Sequence, residues 1–503
     1  MYNPKTNYMK KTLLALLLTT INLSAQTVLL DEKIDKENSP GFFQYLPISK
    51  KIVFCVTSKS KGNSAFTLDA NGKKTFLYEN DTRRYSNFSR TEKSYLTSDP
   101  KDQGWTPDYN LILDNKEQLV TKDKFKDLNF KYFGVYNTNN IYDASGYVNS
   151  LYGSFNDLYI LGFTNAENSW RIKSLEKDDI YLEVIEIKSN TKKRVQLEKP
   201  DFTLLKGDQF AKAYYDASFA CKLNNNENFD LITKSLSADR QRTILYKATY
   251  DFEGKKIKTQ PFILQLNNKY FITSTNGGGE KYDTSTQSMQ STRFMNNSYA
   301  LDVLSINNYY EDRENGDMYI YGLFSDQDPN KVKGKSSPKG FYVFKFDKNG
   351  NKLWESINNI DSKEYFEKVR FSSDFQVNLV EYNKDLIFSA SVNSFTEFTN
   401  AAIIDKKSGS VLKSSFIEYN NNFSHGKYSY FISQTYDCKE LKNKTFSQVG
   451  FAAVSINPKV MEYLKSVPEK GNRLYFETLY SDEGVWLVET DNKKYYKVLL
   501  FKE

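Results

Sequence analysis

The chain of 503 residues holds one histidine, His425, and three cysteines, Cys55, Cys221 and Cys438. That scarcity excludes whole classes of chemistry. Zinc sites built on several His or Cys ligands lack their parts. A Ser-His-Asp or Cys-His system would have to use His425, which lies in the polar segment FSHGKYS. No Gly-x-Ser-x-Gly elbow occurs, and Gly277-Gly278-Gly279 is not followed by the Lys-Ser/Thr of a phosphate-binding loop. The cysteine count is too low for a disulfide scaffold. Cys55 sits in the apolar run KIVFCVT and reads as a small buried hydrophobe. Cys221 and Cys438 stay open between a pair and two free thiols, because sequence does not give their separation. No catalytic, cofactor-binding or metal-binding residue is assigned on these grounds.

Charge of one sign is also lacking. The formal net charge is +7, from 69 Lys and Arg against 62 Asp and Glu, and the two signs are interspersed. Nucleic-acid binding needs a concentrated basic face, so no nucleic-acid partner is expected. Lys331, Lys333, Lys335 and Lys339 do cluster, but in a spacer that reads as a solvated loop. Long apolar runs are absent except at the start. There, Lys10-Lys11, the apolar Thr12–Leu23 and the small pair Ser24-Ala25 have the layout of an export signal. The run is too short for a comfortable membrane span, and no later run is long enough for a spanning helix. The expectation is a signal peptide over 1–25, with 1–8 an upstream extension, and a mature domain over 26–503. The protein is then periplasmic or extracellular.

What the chain has in abundance is aromatic rings: 37 Tyr and 36 Phe, with all aromatics at 15%. Rings and β-branched residues at period two suit pleated, half-buried surfaces. Helical signals are few, the clearest being Asn457-Pro458 followed by KVMEYLKSV. A repeated unit also emerges. One strand has the form Asp-apolar-x-apolar, as in Asp157–Gly162, Asp317–Gly322 and Asp385–Ala390. A later strand ends in apolar-Asp, then a tight turn and a further strand. Leu68–Phe76, Phe346–Trp354 and Ile404–Leu412 carry that turn clearly, and Leu113–Leu119 and Tyr250–Ile257 loosely. In such a turn Asp accepts from backbone N–H groups two residues on, and Gly takes the positive φ that closes the hairpin. Asp347, Asn349 and Asn351 alternate like a calcium loop, but a calcium loop needs more oxygen ligands and a distal Glu.

These units give eight meanders: Gly41–Glu79, Arg84–Lys122, Phe130–Glu198, Phe210–Ile263, Tyr299–Ile357, Val377–Ser415, Lys427–Leu464 and Asn472–Phe501. The last shows only three strands. Thr27–Leu30 is an orphan strand at the mature start, so the two are expected to pair and close a ring.

The stretch Asp317–Ser356, with Gly322, Asp347, Gly350, Leu353 and Trp354, resembles the β-propeller repeat of many secreted bacterial proteins. The resemblance is good over about one repeat and partial elsewhere. It implies an all-β fold: a single closed β-propeller of seven or eight four-stranded blades. It implies a binding or scaffold architecture and brings no catalytic residues with it.

The expected function is therefore an exported, non-enzymatic propeller that binds a carbohydrate, protein or cell-envelope component. Trp105 and Tyr109 in SDPKDQGWTPDYN, and Trp170 in TNAENSWRI, are candidate ligand contacts, since rings in loops stack on sugars or peptide side chains. The competing reading plugs each ring between blades. Trp354 and Trp486 fall in strands and read as structural. The alternative function is a glycosidase or lyase with carboxylates at the central channel, because a pair of close acids is invisible in sequence. Acids clustered at one channel mouth would favour the enzyme.

Overall fold

A computed structural model supplies the architecture. It describes residues 26–33, 38–46, 49–58, 62–80, 88–90, 93–98, 109–113, 118–120, 141–142, 148–151, 153–168, 178–200, 220–237, 239–273, 280–283, 288–291, 309–312, 315–328, 338–360, 375–382, 385–392, 398–417, 422–423, 430–436, 458–466, 474–481, 483–490 and 495–502. The expected signal peptide lies outside them, as do His425 and Cys438.

The fold is all-β, built from consecutive antiparallel meanders. β1 (Gln26–Lys33) comes first. The first meander is β2 (Asn38–Leu46), β3 (Lys51–Ser58), β4 (Gly62–Asp69) and β5 (Lys74–Asn80). The second is β6 (Phe88–Arg90), β7 (Ser94–Ser98), β8 (Tyr109–Leu113) and β9 (Gln118–Val120). Two short strands, β10 (Ile141–Tyr142) and β11 (Val148–Leu151), precede the third meander: β12 (Gly153–Phe155), β13 (Tyr159–Asn165), β14 (Ile180–Glu186) and β15 (Thr191–Gln196). The fourth is β16 (Ala220–Leu223), β17 (Asn228–Leu236), β18 (Arg242–Asp251) and β19 (Lys256–Gln265).

The fifth meander has a first strand in two pieces. β20 (Phe271–Thr273) and β23 (Tyr309–Glu311) both pair with β24 (Met318–Ser325), and β25 (Gly340–Phe346) and β26 (Lys352–Asn359) follow. Between the pieces lies a separate hairpin, β21 (Glu280–Asp283) and β22 (Ser288–Ser291). The sixth meander is β27 (Phe375–Tyr382), β28 (Asp385–Val392), β29 (Phe398–Asp405) and β30 (Val411–Ile417). The seventh combines β31 (Asn422–Phe423), β32 (Tyr430–Tyr436), helix α1 (Pro458–Ser466), β33 (Leu474–Ser481), β34 (Gly484–Thr490) and β35 (Tyr495–Phe501).

Three expectations change. Lys427–Leu464 is not a separate meander: its strand β32 pairs along its whole length with β33, from Tyr430↔Tyr480 to Tyr436↔Leu474, giving a six-stranded last sheet in the order β1-β35-β34-β33-β32-β31. The meanders described therefore number seven. Nor are all of them four-stranded sheets. β11 pairs with both β12 and β16 and fuses the third and fourth meanders into one ten-stranded sheet, and no sheet closes on itself. Other expectations hold. β1 pairs antiparallel with β35 from Gln26↔Phe501 to Lys33↔Tyr495, so the orphan strand does complete the last sheet. The segment after Asn457 forms α1, which lays Tyr463 edge-on to Phe501 at 5.7 Å.

The core lies between sheets. One cluster joins Leu161, Leu182 and Val184 of the third meander to Cys221, Leu231 and Tyr246 of the fourth. Others join the fourth to the fifth, the fifth to the sixth, and the seventh to the first. A sheet covered on both faces needs unbroken apolar strands, by the logic that governs doubly covered sheets. β24 accordingly reads MYIYGLFS and is buried at every position. The fourth strands face solvent, and their open edges carry charge and proline, which oppose edge-to-edge pairing. β15 reads TKKRVQ, and β19 carries Lys256, Lys258 and Pro261.

The Asp-x-x-Gly turns join third to fourth strands, as expected. Asp347 Oδ1 accepts from the N–H groups of Asn349 (2.8 Å) and Asn351 (2.9 Å), and Oδ2 accepts from the Asn351 amide (2.9 Å). Asn351 is thus a donor to Asp347 and not a ligand beside it. Gly350 has φ +83°, a conformation strained for any residue with a Cβ.

These turns also join one meander to the one before it. A Cβ on Gly350 would fall 2.5 Å from Gln260 Nε2 and Pro261 O on β19. Gly254 sits equally close to Gln196 O on β15, Gly409 lies against the Trp354 ring on β26, and Gly72 lies on Leu29 of β1. Hydrogen bonds cross all four joints, Lys74 Nζ–H donating to Glu32 Oε1 (2.8 Å) at the last. Glu198 N–H donates to Gly254 O (2.9 Å), Gln260 Nε2–H to Asn349 O (2.7 Å), and Trp354 Nε1–H to Lys406 O (3.2 Å).

Candidate functional site

Strand alternation decides which side chains meet at the fourth-to-fifth joint. On β16, Cys221 and Leu223 face the third meander, which turns Lys222 the other way. On β18, Tyr246, Ala248 and Tyr250 face the third meander, leaving Leu245, Lys247 and Thr249 toward the fifth. β17 adds Asp230 on that same side, beside Ile232 of the fourth-to-fifth core.

These polar groups meet Glu311, the last residue of β23. Glu311 Oε2 lies 2.6 Å from Lys222 Nζ, and Oε1 lies 3.0 Å from Lys247 Nζ. Lys247 also reaches Asp230 Oδ2 at 3.3 Å, and Thr249 Oγ1–H donates to Asp230 Oδ1 at 2.6 Å. The charges balance: two lysines, two carboxylates. Burial works against the Lys247 ammonium, but Glu311 and Asp230 outweigh it and hold this lysine above its usual range. The neighbouring Cys221 thiol is free and buried, and burial first, then Asp230, push it well up, away from the reactive thiolate.

The next residue, Asp312, points to the other side. It is fully buried, and Lys406 from the turn after β29 of the sixth meander reaches its Oδ2 at 2.6 Å. Its backbone is fixed too: Asp312 N–H donates to Asp317 O (2.8 Å), and Gly316 N–H donates to Asp312 O (2.7 Å).

Two more buried carboxylates are engaged in similar ways. Glu183 accepts from Thr164 Oγ1–H (2.9 Å), with Arg194 Nε at 3.1 Å and Lys192 Nζ at 3.3 Å, and the Arg194 guanidinium stacks on Tyr181 at 3.7 Å. Glu489 accepts from Tyr463 of α1 (2.7 Å) and from Tyr495 (2.6 Å). Burial, and then the Glu489 charge, drive the Tyr463 phenol well up. Every buried acid among the described residues is therefore held by lysine, arginine or phenol. Glu311 and Asp312 link neighbouring meanders in this way, whereas Glu183 and Glu489 are held within their own, and Glu183 Oε2 accepts no hydrogen bond. No group of three His, Cys, Asp or Glu able to hold a metal occurs among the described residues.

The residues singled out from sequence do not assemble here. Tyr109 is the first residue of β8, in register with Ser98, and not a loop residue as expected: the strand begins before the polar loop composition ends. Trp105 and Trp170 lie outside the described residues. Trp486 is buried in the seventh-to-first core, and Trp354 serves the joint with the sixth meander. Sequence reasoning missed Lys222, Lys247, Glu311, Asp312 and Lys406. A signal existed in RTILYKATYD, where Lys247 shares an alternation set with Leu245 rather than with exposed polar residues.

No protein-family model and no curated protein matches the chain. Solved structures do resemble it in part. One is the β-propeller domain of the Trilobed protease from Pyrococcus furiosus, at 8% identity and TM-score 0.35, with 90% of this chain and 98% of that one covered. A prolyl endopeptidase matches at 10% identity and TM-score 0.35, over 89% of this chain and 47% of its own, so the chain spans about half of that enzyme. Quinohemoprotein alcohol dehydrogenase from Comamonas testosteroni matches at 7% identity and TM-score 0.32, over 82% of this chain and 73% of its own. At such scores the likeness carries neither a shared fold nor a shared activity.

Proposed function

We propose that the chain is an exported, non-enzymatic, seven-bladed β-propeller whose loops bind a carbohydrate, a protein or a cell-envelope component. Each meander is a blade in this reading. The order of the joints supports it: third on fourth, fourth on fifth, fifth on sixth and seventh on first, with β1 on β35 as the closing strand. Export rests on the Lys10–Ala25 segment of the sequence.

One observation carries the preference for loops over a central channel. First strands line the channel of a closed ring, and in the third, fourth and seventh meanders protein strands already lie along these edges. β11 bridges β12 and β16, and β32 adds to β33. The acids at the broken first strand of the fifth blade, Glu311 and Asp312, are tied to lysines. A glycosidase needs two carboxylates facing a reacting sugar. Here the carboxylates face cations of the neighbouring blades.

The test is to present the mature protein to glycan and cell-envelope arrays and to polysaccharide and glycoside substrates. Retention without turnover is expected. Turnover that disappears in Asp230→Asn or Glu311→Gln would overturn the binding reading. N-terminal sequencing of the exported protein is expected to start at Gln26.

A further inference from the structure

The first strand of the fifth meander leaves β24 after Thr273 and returns at Tyr309. The returning piece, β23, has only three residues. So few ladder bonds leave a strand at the low-stability end of a fold. Yet its C-terminal end carries two consecutive carboxylates that reach opposite ways. Glu311 binds Lys222 and Lys247 of the fourth meander; Asp312 binds Lys406 of the sixth. Tyr310, between Tyr309 and Glu311, is buried in the core shared with the sixth meander and lies 5.7 Å from Tyr319.

We propose that Glu311 and Asp312 form a two-sided clamp that couples the fourth meander to the sixth through β23. Two states follow, β23 docked on β24 and β23 released. Glu311 ends the strand and Asp312 follows it directly, so the two cannot leave separately. Freeing Glu311 takes it from both Lys222 and Lys247, leaves Lys247 with Asp230, and moves Asp312 away from Lys406. Removing one member of a buried ion pair leaves an uncompensated charge, so each side opposes release by the other. A single change on the fourth-meander side therefore loosens the sixth, and the reverse. Physical warrant for such coupling is a shared two-state element, and in this proposal β23 is that element.

Hydrogen exchange on the full mature chain tests this, comparing Glu311→Gln, Asp312→Asn and the milder Lys222→Met, which keeps Lys247 as a partner for Glu311. The expected result for Glu311→Gln is faster exchange, about fivefold or more, at β23 and also at Lys406–Ser410 of the sixth meander, on the Asp312 side. Asp312→Asn is expected to speed exchange in β16 and around Lys247. Lys222→Met is expected to give the same two-sided pattern at smaller amplitude, and it decides the matter if either acid variant fails to fold. Exchange changes confined to the mutated side, with the far meander at its wild-type rate, would overturn the clamp.

Discussion

The joint between the fifth and sixth meanders and the joint between the seventh and first set an Asp-to-Gly turn, one residue longer at the first, against two different surfaces. At the first, Gly409 lies on the face of Trp354, whose Nε1–H donates to Lys406 O at 3.2 Å. At the second, Gly72 lies on the backbone of Leu29, and Lys74 pairs with Glu32 at 2.8 Å. The first joint is made by neighbours in sequence. The second is made by the two ends of the chain, since β1 supplies the strand against which the first meander packs. What repeats is the turn, because its Asp and Gly satisfy local backbone needs. The surface it meets need only leave room for a residue without a Cβ. That is why the tryptophan of one repeat need not recur in the others.

If the terminal joint depends on the donated strand, removing Gln26–Lys33 gives the largest loss of stability. It uncovers Val498 and Leu500 and removes Leu29 and Leu30, at roughly 1.5–3 kcal/mol for each buried aliphatic side chain. A clear fall in melting temperature is expected, with exchange rising first in β4 and β35. An unchanged melting temperature would break the comparison. Next in size are the glycines. Gly409→Val combines a left-handed φ of +76° with a Cβ 2.6 Å from Trp354 Cε3, for a loss of roughly 2–4 kcal/mol. Gly72→Val faces Leu29 O at 3.1 Å with φ +82° and is expected to lose less, about 1–3 kcal/mol. Denaturant midpoints for the two variants rank the joints, and a larger effect at Gly72 would reverse the argument.

Legibility in the sequence follows the same division. Asp347 and Gly350 are readable because the turn that needs them is four residues long and its forces are local. β24 and β13 are readable because doubly covered strands are apolar throughout. The pairing of β1 with β35 was inferable from a strand with no partner and a sheet with a place for one. Three features were not readable. The pairing of β32 with β33 spans a helix and a long connection, so proximity in sequence misassigned it to a meander of its own. The double pairing of β11 depends on where two first strands converge, which no local pattern encodes. The partners of Glu311 lie on β16 and β18, far back along the chain, and any of many acids and lysines satisfied the composition equally well. Tyr109 shows a smaller limit of the same kind, since a loop's composition does not mark the residue at which pairing resumes.

A smaller change sharpens the comparison at one atom. Trp354→Phe keeps an aromatic ring but removes the Nε1–H donor to Lys406 O together with part of the indole surface that faces Gly409. The expected cost is about 1 kcal/mol for the hydrogen bond, plus the packing lost with the smaller ring. Trp354→Ala adds loss of the ring and is expected to cost at least twice as much by the same denaturant measurement. Equal costs for Phe and Ala would mean that the hydrogen bond, and not the ring, holds the sixth meander.

The smallest effect is titration of the turns themselves. Asn351, through its side chain and backbone, holds the Asp347 carboxyl below the usual carboxylate range, and Ser408 does the same for Asp405. A depressed folded pKa means that the stabilisation is fully present above the unfolded value, near 3.9 for Asp, and is lost as pH falls through the folded value. Both groups are exposed, so salt screens much of the effect. The chain holds 62 Asp and Glu in all, so the absolute melting temperature is no measure of the two turns. The difference between proteins is. Asp347→Asn with Asp405→Asn keeps a side-chain oxygen to cap each turn and removes its titration. The wild type is expected to be slightly more stable than the double variant at pH 6, and the gap is expected to close between about pH 4 and 2. A gap that stays constant across that range would show that the turn aspartates act through hydrogen bonding alone and not through charge.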